Sequence, residues 1–337
     1  MSPEPIPEGI LAGALARAKA REEATQEARK DPEAVVERIK AAAAAAKMTP
    51  KAYIDALAKD TAKLTPPEGT KPISAFWSYG IEHPEAPKND RGVPFLSQRF
   101  IAEEWAAQQN EARPGTARTL ETSPGGQELD NMFLWEDEVT ELLGGEEAGF
   151  HEGYAKQAWN KISETYGSLA EGRVVIFADI GNTRAVLQQS ELGALCANPN
   201  VGLNNINFVY EAPQSWPEIT RAEAGTNAVR AVAQFDNKDL PRYIDPHAFA
   251  ADSPEARKAK VDAVLEAVAP AQAQAPAVAA PERQASPKRV PNPLWQMGFR
   301  QPDTVARPKD PGPVLGAGSA GAAALVPKSP ATGMDGP

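Results

Sequence analysis

A chain of 337 residues could hold two average domains, but 32 prolines and an apolar content of 42% cannot line a core along its whole length. One folded domain with long appendages is therefore expected. The net charge of −10, with no basic stripe, argues against nucleic acid and against an anionic membrane surface as partners.

Residues 8 to 30 form an Ala/Glu/Lys/Arg-rich helical pattern. Asp31-Pro32-Glu33 supplies an N-cap, a first-turn proline and an early carboxylate for a second helix to about Lys47, and Thr49-Pro50 repeats the signal for a third that ends near Leu64. Residues 1–66 thus read as a helical arm, either solvated or a delivery and docking module. Pro66-Pro67-Glu68-Gly69 ends it, with a linker at 67–72.

From Ile73 the composition changes to Phe76-Trp77-Ser78-Tyr79-Gly80, followed by a loop at 83–94 and a helix from about Ser97 to Gln109. Phe100, Ile101, Trp105 and Ala106 fall at helical spacing, which makes Trp105 a core residue. Arg113-Pro114-Gly115 closes that helix. Thr119-Leu120-Glu121 comes next, then Pro124-Gly125-Gly126, which permits a tight turn and a close backbone approach. Two helices are expected at 129–143, carrying Met132, Phe133 and Trp135, and at 154–169, carrying Trp159, Ile162 and Tyr166. Val174-Val175-Ile176-Phe177-Ala178 is the clearest buried strand, and Ile206-Asn207-Phe208-Val209-Tyr210 alternates like a second. Together these predict an α+β, α/β-like fold, with helices packed on a small central sheet.

Beyond Ser215 the pattern weakens. A helix from Pro217 to about Ala224 and one capped by Ser253-Pro254-Glu255 and running to about Val268 make 216–268 a partly helical extension. Residues 269–337 hold 13 of the 32 prolines and no sustained apolar period, the composition of a disordered Pro/Ala-rich tail. Within it Pro293-Leu294-Trp295-Gln296-Met297-Gly298-Phe299 is an isolated apolar island.

One cysteine, Cys196, and three scattered histidines, His83, His151 and His247, provide neither an internal disulfide nor zinc-ligand spacing, so no metal is expected. Apolar runs fall far short of the roughly 20 residues that span a bilayer. Met1-Ser2-Pro3-Glu4-Pro5 lacks the basic start and apolar core of a secretion signal. The chain is expected to be cytoplasmic, or delivered to a target cell without a classical signal peptide, and to have no membrane partner. The stretch from Thr119 to Tyr210 carries the candidate chemistry. Two carboxylates in separate segments, Glu121 and Glu191, near tryptophans at helix positions, suit a pocket that holds a flat ring and stabilises a cationic sugar centre.

The order of these motifs is more specific than any one of them. Phe76-Trp77-Ser78, Thr119-Leu120-Glu121, Trp159 with Ser163 four residues on, the strand at 174–177 and Glu191-Leu192-Gly193-Ala194-Leu195 together resemble the ADP-ribosyl cyclase family. Pro124-Gly125-Gly126 and Asn198-Pro199-Asn200-Val201 are similar to its bacterial members, which occur as NAD-degrading toxin domains. The resemblance covers residues 73 to 212, within a catalytic domain at 73–215. It implies an ADP-ribosyl cyclase-like fold and NAD+ nucleosidase or cyclase activity, with NAD as substrate, no cofactor, and an immunity protein or delivery partner. Glu191 would stabilise the ribose cation as nicotinamide leaves, and Glu121 would face the nicotinamide amide. Trp77 and Trp159 would flank the substrate, and Ser78 and Ser163 would contact phosphate. Tyr79 stands where animal members carry a basic residue, which leaves Arg118 or Arg184 to neutralise the phosphates. Glu211, in Tyr210-Glu211-Ala212-Pro213, is the rival position for the key acid, and a catalytically idle relative that binds a nucleotide or protein is the rival function.

Overall fold

The computed structural model of the protein describes residues 6–89, 91–178, 185–202, 205–212, 215–223 and 244–266. The Pro/Ala-rich tail with its apolar island lies outside them, as does Arg184.

Among the described residues the centre is a four-stranded sheet of β1 (Ile73–Trp77), β4 (Ala117–Arg118), β5 (Val174–Phe177) and β6 (Ile206–Phe208), in the order β4-β1-β5-β6. Every neighbouring pair is parallel, with Ile73 opposite Ala117, Trp77 opposite Phe177 and Ile176 opposite Phe208. A parallel sheet has helices on both faces, so its strands are apolar on both sides. All four residues of β5 are buried, and they alternate between two cores. Val174 and Ile176 join Phe76 and Ile206 on one face, while Val175 and Phe177 join Ala75 and Ala117 on the other. A separate hairpin, β2 (Gly80–Glu82) with β3 (Phe95–Ser97), leaves the end of β1. Tyr79 turns the chain there with a φ of 65°, an unusual value for a side chain of this size.

The helices at 8–30, 32–45 and 50–57 form where the caps predict, with Asp31 accepting from the Ala34 amide and Thr49 from the Ala52 amide. They are not a solvated arm. α1 (Glu8–Lys30) lies along α4 (Gln98–Ala112) and buries Ile10, Ala14, Leu15 and Ala18 in the core that holds Trp105 and Phe177. Arg17 of α1 donates to Glu104 of α4 at 2.9 Å. α2 (Pro32–Ala45) and α3 (Pro50–Leu57) bury Val35, Val36, Ile39, Ile54 and Leu57 in the core on the opposite face. The alanine-rich composition hid this, because alanine is equally at home on a solvated helix and in a close helix contact. The third helix also stops at Leu57, before a 3₁₀ turn at Thr61–Lys63 capped by Asp60.

The single helix expected at 129–143 is broken. α5 (Pro124–Asp130) starts at the proline-glycine run with Ser123 as its cap, and α6 (Asp137–Leu142) follows after Phe133 adopts a φ of 50°. At the break Asp130 pairs with two arginines, and the left-handed turn lays the Phe133 ring 4.3 Å from the Arg21 guanidinium. α7 (Tyr154–Ser168) and α8 (Leu192–Ala197) complete the layer over Val174 and Ile176. Gly167 of α7 lets the two come close, since a Cβ there would stand 3.1 Å from that of Ala194. α9 (Glu218–Glu223), α10 (Pro246–Ala251) and α11 (Pro254–Glu266) follow, α10 being a short helix that sequence reading missed despite its Asp245 cap. Among the described residues no helix is long and apolar enough to cross a membrane.

Candidate functional site

In parallel sheets ligands gather at the carboxyl ends of the strands, where successive connections leave toward opposite faces. That place here is the end of β1. Its connection runs through α4 on one face, while that of β4 runs through α5 to α7 on the other. Trp77 and Ser78 end β1, and Glu121 lies three residues past β4.

The turn that holds Glu121 is tightly built. The Thr119 amide donates to the Thr122 hydroxyl (2.9 Å), the Thr122 amide to the Thr119 hydroxyl (3.2 Å), and the Ser123 hydroxyl to the Leu120 carbonyl (2.5 Å). A Cβ on Gly126 would run into that same Leu120 carbonyl, so the close approach expected of the Pro-Gly-Gly run is present, though as the first turn of a helix. The side chain of Glu121 is 6% exposed. Its Oε1 accepts from Trp77 Nε1 at 2.9 Å, whereas Oε2 and the neighbouring Ser78 hydroxyl are buried without a hydrogen-bond partner among the described residues. Buried polar atoms in that condition are rare in folded proteins.

Glu191 reaches the same region from a π-helical turn, Leu187–Glu191, that runs into α8. Such turns are uncommon and frequent at functional sites. Its side chain is also 6% exposed, and Ser163 of α7 supplies a hydrogen bond to its carboxyl group. Burial, reinforced by the charge of Glu121, pushes the Glu191 carboxyl up to about 8, the Ser163 bond opposing. Burial also raises Glu121, to about 7, against the opposing pull of Arg99. Near neutral pH the two carboxyl groups therefore hold less than their full pair of charges.

Behind Glu121 lies a buried ionic cluster that sequence reading did not anticipate. Arg99 Nε donates to Glu103 at 2.7 Å, and its two terminal nitrogens reach Asp130 at 3.0 and 2.6 Å. Arg21 of α1 reaches the same aspartate at 3.1 Å. Burial would lower the affinity of Arg99 for its proton, but Asp130 and Glu103 outweigh it and hold the guanidinium charged. The available signal was the Arg99/Glu103 pair, one helical turn apart and set among the apolar residues of α4.

The sequence candidates other than Arg184 lie among the described residues. Trp77 touches Glu121, Ser163 touches Glu191, and the Ser78 amide is fixed on the Phe177 carbonyl at 3.0 Å. Trp159 stands one turn before Ser163 on the same side of α7 and is buried in the core of that face. Arg118 is not a free cation for phosphate, since its guanidinium donates to Ser74 and to the carbonyls of Leu64 and Leu169, and lies over the Tyr166 ring. Glu211 is exposed, past the end of β6. Among the described residues no cluster of three or more His, Cys, Asp or Glu could hold a metal ion. A surface groove of about 340 Å³ lies elsewhere, between α7 and the end of α8, lined by residues that include Lys161, Thr165 and Asn198.

The site and fold thus define a mixed helix-and-sheet protein with a buried carboxyl pair at the carboxyl edge of a small parallel sheet. No protein-family model, no curated protein and no solved structure matches the chain.

Proposed function

We propose that the chain is an NAD+ glycohydrolase with ADP-ribosyl cyclase-like fold and chemistry, cleaving the bond between nicotinamide and ribose. One observation carries the reading: two carboxyl groups 70 positions apart in sequence are both buried and within each other's electrostatic influence, one bonded to Trp77 and the other to Ser163. Glu191 faces C1′ of the ribose. As the C1′–N bond breaks, nicotinamide leaves with the bonding electrons and positive charge develops on the sugar, where an ionised carboxylate gains attraction absent in the ground state. Water then adds to C1′ and releases a proton, or the adenine ring of the same molecule adds and closes the cyclic product. Glu121 faces the nicotinamide amide, its carboxylate accepting from the amide N–H, with Trp77 beside it. Trp159 borders the substrate, and Ser78 and Ser163 give hydroxyl contacts to it. The cationic nicotinamide of NAD itself favours the ionised form of Glu191 on binding.

In this reading the protein is a bacterial effector or toxin, with an immunity protein or delivery partner. The rival is a catalytically idle relative that binds a nucleotide or protein, and the enclosure of both glutamates, each 6% exposed, favours it. Incubating the purified chain with NAD and following nicotinamide decides between them. Release that is lost in Glu191→Gln supports the enzyme; no release from the intact chain supports the rival.

A further inference from the structure

The chain leaves β1 through a strained turn. Tyr79, two residues past the strand, stands in the left-handed region at a φ of 65°, where a side chain of its size is unfavourable. Such conformations persist only where the surroundings over-determine them, and they gather at ligand-contacting positions. Here the surroundings are specific. The Tyr79 carbonyl accepts from the amide of Gln98, the first residue of α4, at 2.9 Å, and its ring meets that of Phe95 edge-on at 5.2 Å. Gly80 lies so close to the Leu96 carbonyl that a Cβ would run into it. Gln98 is fixed in turn from a third element: its side chain, on a residue 1% exposed, accepts at Oε1 from the Tyr210 hydroxyl at 2.6 Å. Tyr210 lies two residues past β6, so the bond ties the far strand of the sheet to the turn at the end of β1.

What this clamp secures is Ser78. Its amide donates to the Phe177 carbonyl at 3.0 Å, and its hydroxyl, on a residue 1% exposed, has no partner among the described residues. An alanine would fill the same place without burying an unpaired polar atom, so the hydroxyl adds nothing to the fold and is left for a group that arrives from outside. We propose that Tyr210 is a positioning residue of the site: through Gln98 it holds Tyr79 in its left-handed turn and thereby fixes the Ser78 hydroxyl where substrate meets it. The clamp stands on its own geometry, while the contact of Ser78 with substrate rests on the function proposed above. Removing the Tyr210 hydroxyl leaves the Gln98 oxygen buried without that donor, and the strain at Tyr79 then favours opening of the turn.

The test has two arms, both on the full chain. In the first, without NAD, hydrogen exchange is read amide by amide. Tyr210→Phe should speed exchange of the Ser78 and Gln98 amides by about tenfold. Tyr154→Phe, which removes a similarly buried hydroxyl bond, to Asp55 at 2.9 Å, should leave both as they are. In a Tyr79→Gly background Tyr210→Phe should matter much less, because glycine takes this φ without strain. Should Tyr210→Phe not fold, Gln98→Met, which removes the acceptor, is read in the same way. Unchanged exchange, an equal effect of Tyr154→Phe, or an undiminished effect in the Tyr79→Gly background overturns the clamp. In the second arm nicotinamide release is followed. Tyr210→Phe should raise KM for NAD several-fold with kcat less changed, and in a Ser78→Ala background it should do nothing further. Equal losses in both backgrounds would show that Tyr210 does not act through Ser78. A chain that leaves NAD intact refutes the proposed reaction while the first arm still decides the clamp, so the two failures remain distinct.

Discussion

Replacing Glu191 with glutamine should lower activity and raise stability at alkaline pH in the same molecule. The native carboxyl holds its proton up to about 8, against an ordinary value of 4.5, so between these pH values the folded chain binds more protons than the unfolded one. Stability contributed by the neutral acid is thus complete below about pH 4.5, declines as pH rises and is lost above about 8. A tenfold change in proton affinity corresponds to about 1.4 kcal/mol, so the full loss is at most about 5 kcal/mol. Glutamine keeps the size and the neutral form at every pH. In urea unfolding at pH 5 the parent and E191Q should be nearly equal, whereas at pH 9 E191Q should be more stable by a few kcal/mol. Nicotinamide release should meanwhile fall by about 10²-fold or more, the usual effect of removing one preorganised group that meets transition-state charge. Parent stability that is flat from pH 5 to 9 would show that Glu191 ionises freely. An inactive E191Q that is also less stable at pH 9 would reduce the glutamate to a structural group.

If the proposed reaction is right, it needs the ionised form of Glu191, so kcat/KM for NAD should climb with pH and level off above about 8; a profile flat between pH 6 and 9 would point to another group. Glu121→Gln should change the ratio of cyclic to linear product and slow turnover less than E191Q does, and equal losses from both would show that the two share one role. Since the proposed step draws on carboxyl charge alone, nicotinamide release should survive EDTA, and activity that disappears and returns with a divalent ion would refute it. Gly126→Ala should lower stability by roughly 1–3 kcal/mol through its clash with the Leu120 carbonyl, and an unchanged melting temperature would mean that the Glu121 turn tolerates displacement.

What could be read from the sequence divides along a physical line. The strand at 174–177 was legible because a central parallel strand must be apolar on both faces, and the caps Asp31, Thr49 and Ser253 were legible because capping is local chemistry. Glu121 and Glu191 were legible only through motif order. Nothing local distinguishes them from the other acidic residues, and their shared burial follows from β4 and β5 flanking β1, a topology that no window of sequence contains. The break at Phe133 and the docking of α1 were not legible for one and the same reason. Both depend on Asp130, whose partners lie 31 and 109 positions away, and neither partner stands out in sequence. An isolated reading of 129–143 sees only apolar spacing and extends the helix; an isolated reading of 8–30 sees only alanine and charge and leaves it in solvent. Asp130 ends α5 while holding both Arg99 and Arg21, and its bond to Arg21 adds to the apolar stripe and the Arg17–Glu104 pair that lay α1 along α4. The same residue therefore takes part in both departures, and through it a charged residue of the first helix is tied to the buried Arg99 of α4.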